Sequence, residues 1–503
     1  MNVATNLEKS ASWFPDRPAL SEADREISYA ELNDRAGRVA AALLQTGVQP
    51  GDRIGLCAPN SMDWITFYFG VLKAGAVAVA LSSLLTGDEL SLLIGHSKPR
   101  ILFTHDEKLD ELAGMRHEGA LEKIISPGGD MRLDELLKIG SGGFRSLDRD
   151  RADTAAILYT GGTTGIPKGV ELSHENINAA IHTVVHNERS VETDRALCFL
   201  PFNHVFGQMH IMNATILSAG CLEVMPAFDL DRILYLMGAD RVTRFYAVPT
   251  IYVRLLALEG LREKLGPLRY CFSAAASMAA DVVRQWKEHT GLAIYEGYGM
   301  TEAAPTVTFN HRYRHVIGSV GTEVPGVEIQ IRDPFGVRLE QGMEGEICIR
   351  GPNIMKGYLD NPEATREAFW EGRWFRSGDI GLLDDQGYLY IVDRLKDMII
   401  TGGENVYPRE VEEVLYGWRE VQECAVVGLP DREWGERVTA FIISRPGQEL
   451  HEDQLRTYMK SRLASFKVPK AFVTVKDFPR SPAGKILKRE LKKLYTSQDP
   501  EEG

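Results

Sequence analysis

Ala155-Ala156-Ile157-Leu158-Tyr159-Thr160-Gly161-Gly162-Thr163-Thr164-Gly165-Ile166-Pro167-Lys168-Gly169 is an apolar run of strand length that opens into a loop of glycine and threonine. Four glycines leave the backbone N–H groups of the loop open to close approach by a ligand. Thr160, Thr163 and Thr164 add hydroxyl donors, and Lys168 adds a compact positive charge. Amide, hydroxyl and ammonium donors crowded together suit the anionic oxygens of a polyphosphate. The spacing is not that of a Walker A loop, because Ile166 or Pro167 stands where its second glycine is required.

Working outward, strands alternate with helices. After the loop a helix is expected from about Glu175. Upstream, Ser28-Tyr29-Ala30-Glu31 reads as a capping box, with Ser28 as N-cap and Glu31 reaching back. Leu32, Val39, Ala40 and Leu43 follow at helical spacing, and Gly47 closes that helix. Strands are expected at Ile54 to Cys57, Ala76 to Leu81 and Arg100 to Thr104, with a helix at Trp64 to Leu72. Such alternation predicts an α/β fold with a parallel sheet covered on both faces. Past Gly318 the pattern turns β-rich, with strands at Val327 to Arg332, Gly345 to Arg350 and Tyr388 to Val392. From Pro408 a new α+β segment begins. The expected architecture is a large N-terminal domain, residues 1–393, and a small C-terminal domain, residues 394–503.

A chain of 503 residues is too long for one core. Its hydrophobic fraction of 44% and charged fraction of 25% are those of a globular protein. The net charge of −13 argues against nucleic acid as a partner. The six cysteines are widely spaced and lie mostly in apolar runs, so buried, inert thiols in a reducing compartment are expected. No stretch is long and apolar enough for a membrane span, and Met1 to Phe14 is not a secretory signal. The expectation is a cytoplasmic enzyme, with its oligomeric state, monomer or homodimer, left open.

The loop resembles the phosphate-binding signature of the adenylate-forming superfamily, which includes acyl-CoA synthetases, peptide-synthetase adenylation domains and luciferases. That signature usually reads Tyr-Thr-Ser-Gly-Thr-Thr-Gly-x-Pro-Lys-Gly; here Gly161 replaces the serine, as in some fatty acyl-CoA ligases. The resemblance extends from Phe14-Pro15-Asp16-Arg17-Pro18 to Lys485, with every motif in family order. It implies roles for further residues. Tyr298-Gly299-Met300-Thr301-Glu302 resembles the second signature: Thr301 for a phosphate, Glu302 for Mg²⁺, Tyr298 for adenine, with Gly297 and Gly299 beside them. Ala274, Ala275 and Ala276, in Ser273-Ala274-Ala275-Ala276-Ser277, fall where the family lines the adenine and acyl pocket. Asp379 matches the ribose carboxylate. In Asp393-Arg394-Leu395-Lys396-Asp397, Arg394 matches a second ribose or phosphate contact and Lys396 the hinge pivot. Gly402 and Gly403 match the segment that shapes the pantetheine channel. Lys485, in Pro479-Arg480-Ser481-Pro482-Ala483-Gly484-Lys485, matches the mobile lysine that meets the α-phosphate and acyl oxygens. His204 matches a gate beside the carboxylate and is given a positioning role.

The resemblance therefore implies an enzyme using ATP, Mg²⁺ and coenzyme A. It would convert a carboxylic acid to an acyl-adenylate and then to a thioester. Gly297 stands where some malonyl-specific relatives place arginine, which argues against a short dicarboxylic acid. Phe206, Met209, Met212 and the Ala303-Ala304 pair suggest an apolar pocket, and with Gly161 they place a medium- or long-chain fatty acid first. An aryl or cyclic acid is second, and transfer to a carrier protein instead of CoA is the competing chemistry.

Overall fold

The structure is a computed structural model that describes residues 1–117, 121–160, 167–239, 241–276, 278–395, 397–432, 434–481 and 484–496. Gly161, Gly162, Thr163, Thr164 and Gly165 of the glycine-threonine loop, and the pivot Lys396, lie outside the described residues.

Two large sheets organise the N-terminal part. In one, of seven strands, Arg53–Cys57 lies between Val77–Ala80 and Ile101–Thr104, and all three run parallel. In the other, of nine strands, Arg195–Cys198, Arg244–Ala247, Tyr270–Ser273 and Ile294–Tyr298 are parallel neighbours. One apolar cluster joins the sheets through the helices Tyr29–Gln45 and Met62–Lys73, with Trp64, Tyr68 and Phe202 buried in it. Ser28 caps its helix by accepting the Glu31 N–H at 3.2 Å, and Glu31 itself turns to Arg35 at 3.6 Å rather than back to the cap. All six cysteines are buried and unbridged.

The loop after Tyr159 departs from the expected strand–loop–helix order. Lys168–Ser173 is a strand antiparallel to Thr154–Thr160, where the sequence pattern places no strand. Val170 and Leu172 point inward at period two, and the helix His174–Glu188 starts only after Ser173 supplies an N-cap. Lys168 thus sits at the root of a paired strand, a firmer mount than a loop.

A smaller sheet follows, with Gly345–Arg350 between Glu328–Arg332 and Trp374–Leu383, and with Leu389–Arg394 on the far side of Trp374–Leu383. The C-terminal sheet pairs Val421–Asp431 with Gly435–Ser444 along most of their length. It has its own apolar clusters, around Val411, Leu415 and Val426 and around Phe441 and Leu491. No described helix is long and apolar enough to cross a membrane.

Close packing of the first two long helices depends on one missing side chain. A Cβ built on Gly70 would lie 2.3 Å from Val39 Cγ1. Gly70→Ala should therefore force the helices apart and cost about 1–3 kcal/mol. A thermal unfolding midpoint equal to that of the native chain would contradict this.

Candidate active site

The parallel strands of the nine-stranded sheet all end at one edge, where open α/β sheets gather ligands. Tyr298 lies at the end of its strand there. Its hydroxyl donates to Asp379 Oδ2 at 2.6 Å, and Arg394 Nε lies 3.1 Å from Asp379 Oδ1. Three residues spread over nearly a hundred positions therefore meet at one carboxylate. Asp379 is held on a strand of the smaller sheet directly opposite Arg394. Burial, then the adjacent Asp379 charge, pushes the Tyr298 phenol well above its ordinary value, so it stays a donor.

Thr301, Glu302 and Ala303 form a single 3₁₀ turn after Tyr298. The turn is folded back tightly: a Cβ on Gly299 would fall 1.3 Å from the Pro305 carbonyl oxygen. Glu302 accepts the Tyr358 hydroxyl at 3.0 Å, and the Lys168 ammonium lies 4.8 Å from the centre of that ring. Burial raises the proton affinity of Glu302. A cation would reverse that trend. Among the described residues no group of three or more His, Cys, Asp and Glu could hold a metal ion alone. One carboxylate beside a phosphate site is, however, what Mg²⁺ needs when phosphates and water complete its shell.

His204 stands at the start of the turn leading into Phe206–Asn213, a stretch with π-helical hydrogen bonding. Its Nδ1 accepts the Phe206 N–H at 3.2 Å, so the neutral ring carries its proton on Nε2. Burial, aided by the Lys485 charge, lowers its pKa to about 4. It is thus an uncharged donor at neutral pH, and Lys485 is close enough to act on it. Lys485 reaches this place on a tight turn: its N–H donates to Ser481 Oγ at 3.1 Å, and Gly484 has φ 82°. The turn rests on the large sheet's edge, since a Cβ on Gly484 would lie 3.2 Å from Val248 Cγ2.

Not every expected residue joins this cluster. Ala274 and Ala275 follow the strand Tyr270–Ser273 to the same edge, partly buried, with Ala276 exposed and Ala275 at φ 70°. Gly402 and Gly403 form a hairpin turn of the C-terminal sheet, where the Gly402 N–H donates to the Trp434 carbonyl at 2.8 Å. Thr160 ends its strand, half-buried. Two participants were missed in the sequence: Tyr358, whose strand pairs with Lys168–Ser173 beside Lys168, and Glu296. Glu296 is buried on the sheet face opposite Gly297, with Oε2 lacking any partner, and meets the charges of Arg409 and Glu413 from the C-terminal helix Pro408–Tyr416.

The chain is similar to known proteins along most of its length. Residues 7–359 match the family described as AMP-binding enzyme, and residues 410–485 match the AMP-binding enzyme C-terminal domain. A feruloyl-CoA synthase of Amycolatopsis sp is 36% identical over 97% of this chain and 98% of its own length. The long-chain-fatty-acid–CoA ligase FadD13 of Mycobacterium tuberculosis is 34% identical over 99% of both. A crystal structure of the anthranilate CoA ligase AuaEII with anthranoyl-AMP superposes with TM-score 0.94 at 29% identity, covering 99% of this chain and 98% of that one.

Burial pushes the Glu296 pKa up to about 8 from an ordinary 4.5. The folded protein thus keeps a proton there that the unfolded chain has lost. Its stability falls as pH rises from about 4.5 to about 8, by at most about 1.4 kcal/mol per pH unit. Glu296→Gln should remove that slope and gain on the native chain towards pH 8. A constant difference in unfolding midpoint at pH 5, 6.5 and 8 would count against it.

Proposed function

Since the chain belongs to the adenylate-forming family of AMP-binding enzymes and is an AMP-forming acid–thiol ligase, we propose that it joins a compact, ring-bearing carboxylic acid to coenzyme A. The acid oxygen attacks the α-phosphorus of ATP and pyrophosphate leaves; the CoA thiol then attacks the adenylate carbonyl and releases AMP. The observation that carries this reading is the meeting of Tyr298 and Arg394 at the Asp379 carboxylate, with the Lys485 turn seated on Val248 at the same sheet edge. Asp379 and Arg394 would hold the ribose, and Tyr298 the adenine. Lys168 would hold the outer phosphates. Lys485 would face the charge that builds as pyrophosphate departs. His204 Nε2–H would orient the carboxylate without competing for its proton. Glu302 would hold Mg²⁺, which supplies positive charge against the phosphates.

The choice of acid follows from what lies behind His204 and Gly297. Phe206, Phe272, Phe309 and His210 stand ring to ring there, with Phe206 and Phe272 centroids 6.0 Å apart and Phe272 and Phe309 5.2 Å apart. Rings pack well against another flat ring, and relatives named for ring-bearing acids support the choice. A fatty acid is the second reading, favoured by the buried Met209 and Met212 and by the fatty-acid ligases among the relatives. The thioester step would require the small domain, residues 394–503, to turn about the Lys396 segment and bring Gly402 and Gly403 to the acyl group.

Incubation with ATP, Mg²⁺, CoA and a panel of aryl and straight-chain acids should yield AMP, pyrophosphate and an acyl-CoA, with aryl acids ahead. AMP formed while CoA stays untouched would favour a carrier protein as acceptor. Lys485→Ala should slow acid-dependent pyrophosphate release by about 10²–10³, the loss typical of one well-placed transition-state charge. An unchanged rate would remove Lys485 from the reaction.

A further inference from the structure

A buried ionic group lies one ring deeper than the acid site. Glu188, at the end of the helix His174–Glu188, is 1% exposed, and Arg244, Asp194 and His210 are 2%, 2% and 3% exposed. Glu188 Oε1 is 2.8 Å from His210 Nε2, and Oε2 accepts from the Tyr246 hydroxyl at 2.5 Å and from Arg244 Nη1 at 3.0 Å. Arg244 is tied in turn to Asp194, with Nε to Oδ2 at 2.7 Å.

The group lies one ring away from Gly297 and His204, where the acid is placed above. A Cβ on Gly297 would lie 2.7 Å from Phe272 Cζ, and the other face of this layer is His210, stacked on Phe272 at 4.6 Å. Phe206, whose N–H binds His204, meets His210 edge-on at 5.1 Å. Tyr246 and Phe272 rings are 6.3 Å apart on the same sheet face. Beyond Glu188 the molecule opens again. A surface cleft of about 390 Å³, lined by His186, Arg189, His311 and Arg312 among others, lies outside, and Arg312 Nη1 reaches the Glu188 carbonyl at 3.5 Å. Charged residues thus stand between that cleft and the aromatic layer behind Gly297.

We propose that Glu188, His210, Tyr246 and Arg244 form the end wall of the acid pocket and select a compact acid bearing a hydrogen-bond donor at the end far from its carboxylate. The proposal rests on the ligase reading above. In this wall His210 gives Nε2–H to Glu188 and offers Nδ1 as an acceptor within the aromatic layer. A distal hydroxyl can satisfy it; a bare ring cannot, and leaves a polar atom against apolar surface. An alkyl chain that outgrows the layer meets an ion pair whose partners it cannot replace, so extension is refused.

The test compares kcat/KM for 4-hydroxycinnamic, cinnamic, hexanoic and dodecanoic acids. The native enzyme should prefer the hydroxylated ring over the bare ring by about tenfold or more, and hexanoic over dodecanoic acid by about a hundredfold. His210→Phe keeps the ring stack and removes the acceptor, so the hydroxyl preference should fall to about twofold or less, through KM. Tyr246→Phe removes one hydroxyl bond to Glu188 and should narrow the same ratio; it carries the test if His210→Phe does not fold. A native preference that both folded variants retain would overturn the assignment of the wall, as would a native enzyme indifferent to the hydroxyl. Dodecanoic acid used as well as the ring acids would sink the compact-acid reading too. No pyrophosphate with any acid would sink the ligase reading instead.

Discussion

Asp393 ties the two parts of the molecule together at the residue where they meet. Its Oδ1 accepts the Arg394 N–H at 2.7 Å and its Oδ2 the Arg409 N–H at 2.8 Å, inside the first turn of the helix Pro408–Tyr416. Burial raises its proton affinity, and the nearby Lys488 charge and these two amides oppose that rise. Arg409 also reaches back to the Ile391 carbonyl. One carboxylate therefore fixes how the C-terminal helix leaves the strand Leu389–Arg394, and hence where the rest of the C-terminal sheet sits. The position of the Lys485 turn is a consequence: the lysine is more than ninety residues from this joint, and its turn must land on Val248.

The same joint presents Arg409 and Glu413 to Glu296, one residue before the Gly297-Tyr298 floor of the site. A carboxyl without a partner for one oxygen is a weak place in a seam. Were the small domain to turn, opening would let water satisfy what closure leaves bare. A seam sealed by apolar area alone would lack that compensation. Gly484, at positive φ, adds a second economy: the lysine backbone comes close to the large sheet without a side chain intervening.

Much of this was legible in the sequence because each motif is local. Tyr298, Thr301 and Glu302 are neighbours, Asp379 follows a glycine, and Lys485 sits in a proline-glycine frame; the α/β alternation gave the strands Arg53–Cys57 and Ile101–Thr104 within a residue or two. What escaped was set by partners distant in the chain. Tyr358 is 56 residues from Glu302, and Arg244 is 56 residues from Glu188, so no spacing could pair them. The strand Lys168–Ser173 was absorbed into a loop because glycine and proline mask its short inward pair, Val170 and Leu172. The π-helical stretch Phe206–Asn213 has an apolar composition that reads equally as ordinary helix.

The end wall also shows why an ionic group can outlast an apolar one inside a pocket. Buried ion pairs add little to stability compared with packed hydrocarbon of the same volume, since desolvation offsets their attraction. Here Glu188 meets His210, Tyr246 and Arg244 at once, and Arg244 is also ion-paired with Asp194. Such a wall cannot deform gradually, because shifting one member strands another. Apolar side chains in its place would yield by rotamer changes and admit acids of graded length. A sharp boundary on the acid, rather than added stability, is what this arrangement supplies. It does so on the face of the sheet opposite Glu296, away from the seam with the helix Pro408–Tyr416.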